Sequence, residues 1–129
     1  MTSNTQSDIE IYIKDCTIDV IKEWLETRLG PVTLIKQGKN IQLFKCSYES
    51  KVLIIEVLAE AVGKRFTCVW FQSSDTPWNT DLECARDAFA ALNTEIRCSE
   101  GNWSEEEAVP EQQLWWRITA DGEKQVVWN

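Results

Sequence analysis

Ile9, Ile11 and Ile13 alternate with Glu10, Tyr12 and Lys14, the period of two that a half-buried strand requires. The pattern then changes. Ile18, Ile21, Leu25 and Leu29 recur at helical spacing, with Val20 and Trp24 beside them. Thr17 stands where its hydroxyl can cap a helix start, and Gly30-Pro31 stops the helix, so residues 17–29 are predicted helical. Residues 32–35 read as a short strand and Gly38-Lys39-Asn40 as a turn. Residues 41–48 and 51–59 form a predicted hairpin around Glu49-Ser50. In its second arm Val52, Leu53, Ile54, Ile55, Val57 and Leu58 are nearly continuous. Such a run points to a central strand covered on both faces. After a turn at Gly63, residues 65–72 read as a strand with Phe66, Cys68 and Trp70 on one face and Val69 and Phe71 on the other.

Residues 73–79 (S-S-D-T-P-W-N) are a loop by composition. Thr80-Asp81-Leu82-Glu83 is a capping box, in which hydroxyl and carboxylate answer reciprocal backbone donors. Leu82, Ala85, Phe89 and Leu92 continue the predicted helix over 80–93, and residues 94–98 form a short strand. Residues 99–113 are a long acidic connection with a second capping-box pattern at Ser104-Glu105-Glu106-Glu107. The chain closes with a hairpin, 114–119 and 123–128, around Asp121-Gly122, a strong short-range turn signal. A two-residue turn there sets Trp115 opposite Trp128, Trp116 opposite Val127, Arg117 opposite Val126 and Ile118 opposite Gln125. Alternation then gives a core face of Leu114, Trp116, Ile118 and Val127, and a second face of Trp115, Arg117, Val126 and Trp128.

These elements predict one α+β domain over 8–129, preceded by a flexible stretch at 1–7. The expected architecture is a two-layer sandwich: a mostly antiparallel sheet of about six to eight strands with both helices on one face, in the order β-α-β-β-β-β-α-β-β-β. The sheet's second face then needs a cover, supplied by the 99–113 segment, a second subunit or a partner. The element order, size and acidity are similar to bacterial secretion-chaperone-like α+β sandwiches and to small toxin-neutralising immunity proteins. That resemblance implies a non-catalytic role in holding another protein.

Composition narrows the function. The chain has 129 residues, 43% hydrophobic and 26% charged, an ordinary globular balance. It has no run long and apolar enough to span a membrane and no secretory pattern at its start. Five cysteines are widely spaced and no histidine is present, which argues against a zinc or disulfide framework and for a reducing cytoplasm. The net charge of −8 argues against binding nucleic acid through phosphates. The charge is lopsided: residues 1–64 carry eight Lys/Arg against nine Asp/Glu, and residues 65–129 carry five against twelve. No nucleotide, nucleophile-elbow or metalloprotease motif occurs, no cofactor or metal is implied, and no catalytic residue is singled out.

Three places carry candidate binding chemistry. Trp115, Arg117 and Trp128 form an aromatic, cationic face that either packs under another element or meets a partner, since Trp and Arg are enriched in binding hot spots. Trp78, between Asp75 and Asp81, either lids the core or belongs to a binding loop. Glu100, Trp103, Glu105, Glu106, Glu107 and Glu111 form a solvated acidic segment or a lure for a basic partner. Consecutive glutamates diverge around a helical turn, and calcium-loop spacing is absent. The leading expectation is therefore a protein-binding module (inhibitor, immunity-like or chaperone-like). The alternatives are a ligand-binding protein or enzyme whose pocket joins Trp78, Trp103, Asp75 and Asp81, and a structural homodimer.

Overall fold

The computed structural model describes residues 8–73, 75–99 and 114–127. The expected flexible stretch at 1–7, the acidic connection over 100–113 with its helical turn, Trp103 and Trp128 lie outside the described residues. Ten elements follow in the expected order: β1 (Ile9–Lys14), α1 (Ile18–Leu29), β2 (Thr33–Gln37), β3 (Ile41–Tyr48), β4 (Lys51–Val62), β5 (Phe66–Phe71), α2 (Asp81–Leu92), β6 (Ile96–Ser99), β7 (Leu114–Thr119) and β8 (Gly122–Val127). The strands form one sheet in the order β2-β3-β4-β5-β1-β6-β7-β8, with every neighbouring pair antiparallel. β1 is thus inserted between β5 and β6, and joins two chain-local meanders into one sheet.

Both helices lie on one face. Ile21, Trp24, Leu25 and Leu29 of α1 and Cys84, Ala85 and Ala88 of α2 share one core with Ile9, Ile11 and Ile13 of β1, Phe44 of β3, Leu53, Ile55 and Val57 of β4, Val69 and Phe71 of β5, and Ile96 of β6. Each fully buried Leu, Ile, Val or Phe contributes roughly 1.5–3 kcal/mol, so this core dominates the stability. The stripe of α2 is rotated from the expectation: Leu82, Phe89 and Leu92 are only partly buried, and the small side chains Cys84, Ala85 and Ala88 face the sheet. Small residues let the helix backbone approach β6 closely.

The caps are local and form as the residue types dictate. Thr17 accepts from the Val20 N–H at 3.3 Å and Thr80 from the Glu83 N–H at 3.2 Å. The Glu83 carboxylate reaches one residue further back than a standard capping box and accepts from the Asn79 N–H at 3.2 Å. Asn93 ends α2 in the left-handed region, as C-caps commonly do. The Glu49-Ser50 turn also holds, with φ of 49° and 69°, the doubly positive pair of a hairpin turn built here without glycine.

The last hairpin departs from expectation. Thr119 pairs with Gly122, so Trp115 stands opposite Val126, Trp116 opposite Gln125, Arg117 opposite Lys124 and Ile118 opposite Glu123. The positive φ falls on Gly122 at 115°, and not on Asp121. The turn is therefore Ala120-Asp121, and the glycine follows it as the first residue of β8. This resembles a tight turn closed by a positive-φ glycine, in place of the doubly positive Asp-Gly turn. The pairing shifts by two residues. A shift of two preserves side-chain parity, so each residue keeps its expected face while its partner changes.

Candidate functional site

The sheet's second face carries the even-numbered residues of β1 and β5 and is free of both helices. Directly opposed residues form two lines across it. In one, Leu43, Glu56, Trp70 and Glu10 follow one another across β3, β4, β5 and β1, and beyond β1 Ser99, Trp115 and Val126 oppose one another across β6, β7 and β8. The other line crosses seven strands: Ile41, Leu58, Cys68, Tyr12, Arg97, Arg117 and Lys124. Trp70 therefore belongs to this face and not to the helix-covered core. It stands between two carboxylates in register, and its indole N–H donates to Asp8 Oδ2 at 2.8 Å.

Trp115 is half-buried and meets Tyr12 edge to face, ring centroids 5.7 Å apart. The expected Trp115–Trp128 pair is replaced in register by Trp115–Val126. Beneath Tyr12, the Cys68 thiol donates to Glu10 Oε2 at 3.5 Å. Burial and the Glu10 charge push that thiol well up, and burial with the neighbouring Cys68 and Glu10 does the same to the Tyr12 hydroxyl. Both groups stay protonated at neutral pH, so neither supplies a thiolate or phenolate.

Next to the aromatic pair lies a charge hub. Glu95, whose side chain is 8% exposed, accepts from Arg97 Nε at 2.7 Å and lies 3.6 Å from Lys14 Nζ. Arg117 Nε is 3.2 Å from the same carboxylate, but its N–H is not aimed at the oxygen and has no hydrogen-bond partner. Arg117 is thus held by charge alone at that nitrogen. Burial raises the Glu95 carboxyl, and the two guanidiniums beside it more than reverse this, holding it below its ordinary range. Arg97 also stacks on Phe66 at 5.2 Å. Across β6, β7 and β8, Arg97, Arg117 and Lys124 stand directly opposite one another. Like charges opposite each other in a sheet are destabilising, and among the described residues Lys124 forms no ion pair.

Trp78 and Asp81 are elsewhere. Trp78 is 4% exposed, stacks on Trp24 at 5.7 Å and meets Phe71 at 5.1 Å. Its indole N–H donates to Asp87 Oδ2 at 2.9 Å, the Trp24 N–H reaches Oδ1 at 3.2 Å, and Arg28 pairs with the same carboxylate. Trp78 is therefore a core lid and not a surface anchor. Asp81 is 6% exposed and accepts the Glu10 N–H at 3.0 Å. Continuing the β1–β6 register would set Ser99 opposite Glu10, so Asp81 occupies a ladder position that β6 leaves. Asp75 pairs with Lys51 at 3.3 Å and lines a polar hollow of about 190 Å³ with Tyr48, Glu49, Lys51 and Thr76. Asp75, Trp78 and Asp81 do not converge on one pocket. That hollow is smaller than the roughly 300–1,000 Å³ common for ligand sites.

Sequence reasoning missed Tyr12, Glu95, Arg97 and Lys124 as members of the site. The alternation Tyr12–Lys14 and Glu95–Arg97 was visible, but which strands adjoin was not. Among the described residues no group of His, Cys, Asp and Glu is arranged to hold a metal ion, and no helix is long and apolar enough to cross a membrane. The chain matches no protein-family model, no curated protein and no solved structure.

Proposed function

We propose that this protein is a non-catalytic protein-binding module, of an inhibitor, immunity-like or chaperone-like kind, and that the helix-free face of its sheet is the binding surface. The observation that carries this reading is the half-exposed Trp115–Tyr12 pair set beside Arg117 on a face over which no described helix or strand packs. Aromatic and arginine side chains grouped this way are the residue types that anchor interfaces. A partner covering them removes apolar area from water without any rearrangement of the core beneath. The five free cysteines are consistent with a reducing cytoplasmic setting.

The test is affinity capture from the native host's lysate by the full chain, with Trp115→Ala and Arg117→Gln as controls. The expected outcome is loss of a captured protein in both variants, while melting temperature shifts by only a few degrees, since surface changes usually stay within about 0.5 kcal/mol to 1 kcal/mol. Unfolding of both variants would instead assign these residues to structure and remove the binding face.

A further inference from the structure

An acidic chain has placed three of its thirteen basic residues directly opposite one another, Arg97, Arg117 and Lys124, with Lys14 beside them at 3.6 Å from the shared Glu95. Three of these four cations, Lys14, Arg97 and Arg117, contact the one carboxylate of Glu95. Opposed like charges repel across a sheet, and departures from local stability rules concentrate at functional sites. The arrangement of Arg117 sharpens the point. Its Nε is already out of water yet has no hydrogen-bond partner, which an anion placed beside it would supply.

Building on the binding-face reading, we propose that this row docks an acidic segment of a partner protein, carboxylates against Arg97, Arg117 and Lys124 and an apolar side chain against Trp115 and Tyr12. Glu95 shows the fit, because a carboxylate already sits among these cations at 2.7 Å from Arg97 and 3.2 Å from Arg117. The net charge of −8 disfavours a polyphosphate at long range, whereas a peptide presents only a few charges locally. A second copy of this chain is a poorer source. Among the described carboxylates on its own helix-free face, Asp8 is engaged by Trp70, Glu10 by Cys68 and Glu95 by Arg97, which leaves Glu56. The partner is thus acidic where it meets this face, the opposite of the basic partner that overall charge suggests.

The experiment is fluorescence anisotropy on the full chain with a dye-labelled synthetic peptide alternating glutamate with leucine, and with its lysine–leucine counterpart. The glutamate peptide is expected to bind, more weakly as salt rises. Lys124→Glu should weaken it about tenfold. Arg86→Gln should leave it unchanged, since Arg86 pairs with Glu123 on the helix side. Lys124 is exposed, so its variant keeps the fold, and a thermal melt checks this. The inference is overturned if the lysine peptide binds as well, if Lys124→Glu leaves the affinity unchanged, if millimolar inorganic phosphate displaces the peptide, or if the chain sediments as a dimer that Lys124→Glu separates. The two readings fail differently. Capture lost in Trp115→Ala, with peptide affinity indifferent to Lys124→Glu, keeps the face and sinks the acidic partner. Peptide binding lost in Lys124→Glu but unmoved by Trp115→Ala keeps the cation site and sinks the aromatic face.

Discussion

Two largely buried carboxylates organise opposite faces of the sheet, and they differ in what surrounds them. Asp87, on α2, gathers two indole N–H groups and one guanidinium. Glu95, at the start of β6, gathers two guanidiniums and one ammonium. Around Asp87 the charges cancel, and the donors come from α1 and the loop before α2, so the carboxylate on α2 ties three segments into one unit. Among the described residues the cations around Glu95 outnumber the anion, and Lys124 adds another across β8. The same device, one carboxylate ringed by three nitrogen-bearing side chains, closes a core in one place and leaves a charged surface in the other. Charge balance decides which.

The largest break in this contrast is Asp87→Ala. It leaves two indole N–H groups and Arg28 without their acceptor, each buried donor costing roughly 1–3 kcal/mol, so unfolding stability should fall by about 3 kcal/mol in a urea titration. A loss below about 1 kcal/mol would show that stacking of Trp24 on Trp78 holds the unit without the carboxylate. Glu95→Gln comes next. It removes the anion and keeps the shape, at an expected cost of about 2 kcal/mol. Because the damage is cation–cation repulsion, added salt should restore part of it, whereas salt should do little for Asp87→Ala. Equal salt responses would erase the distinction between the hubs.

Acid should act on both. Asp87 and Glu95 are held below their ordinary values of 3.8 and 4.5 by the donors around them, against the upward push of burial. A carboxyl depressed in the folded state contributes stability that is complete above its unfolded value and lost as pH falls through the folded one. Stability should therefore be level near neutrality and decline below about pH 4.5, with a shallower decline in Glu95→Gln. At the other extreme, burial, with Asp81 and Glu123 nearby, pushes the Cys98 thiol up to about 12. A raised value contributes stability that is whole below the ordinary 9.0 and lost as pH rises toward 12. An alkaline melt of Cys98→Ala should lose that slope.

The smallest expected effect carries the opposite sign. Lys124→Gln relieves one opposed like-charge contact and should raise stability by a few tenths of a kcal/mol. A gain in stability alongside weaker peptide binding would mark the row as kept for contact with a partner. A loss would mean that Lys124 has a stabilising role within the sheet.

Much of the fold was legible from the chain. The ten elements and their order follow from period-two and period-3.6 patterning with Thr17, Thr80 and Gly30 as punctuation, because caps and alternation act over a few residues. The faces of β7 were legible as well, since parity survives a slip of two. The partner of Trp115 was not. The hairpin register depended on whether Asp-Gly or Ala-Asp formed the turn, and backbone dihedrals at three residues made that choice. The core helix face of α2 was misjudged because Cys84 and Ala88 outrank Leu82 only when a helix must lie close to a sheet.

What the sequence by itself determined, then, is the set of elements, their order and which side chains share a face, all short-range consequences of residue type and spacing. The tertiary structure alone decided which strands adjoin. It placed β1 between β5 and β6, and that insertion brings Tyr12 to Trp115, Lys14 to Glu95 and Trp70 to Asp8 from far along the chain. The tryptophans divide accordingly: Trp24 and Trp78 close the core through Asp87, while Trp70 and Trp115 stand on the helix-free face. No local pattern encodes such pairings, because they arise when burial of the isoleucine face of β1 selects its neighbours, and the polar face follows passively into register.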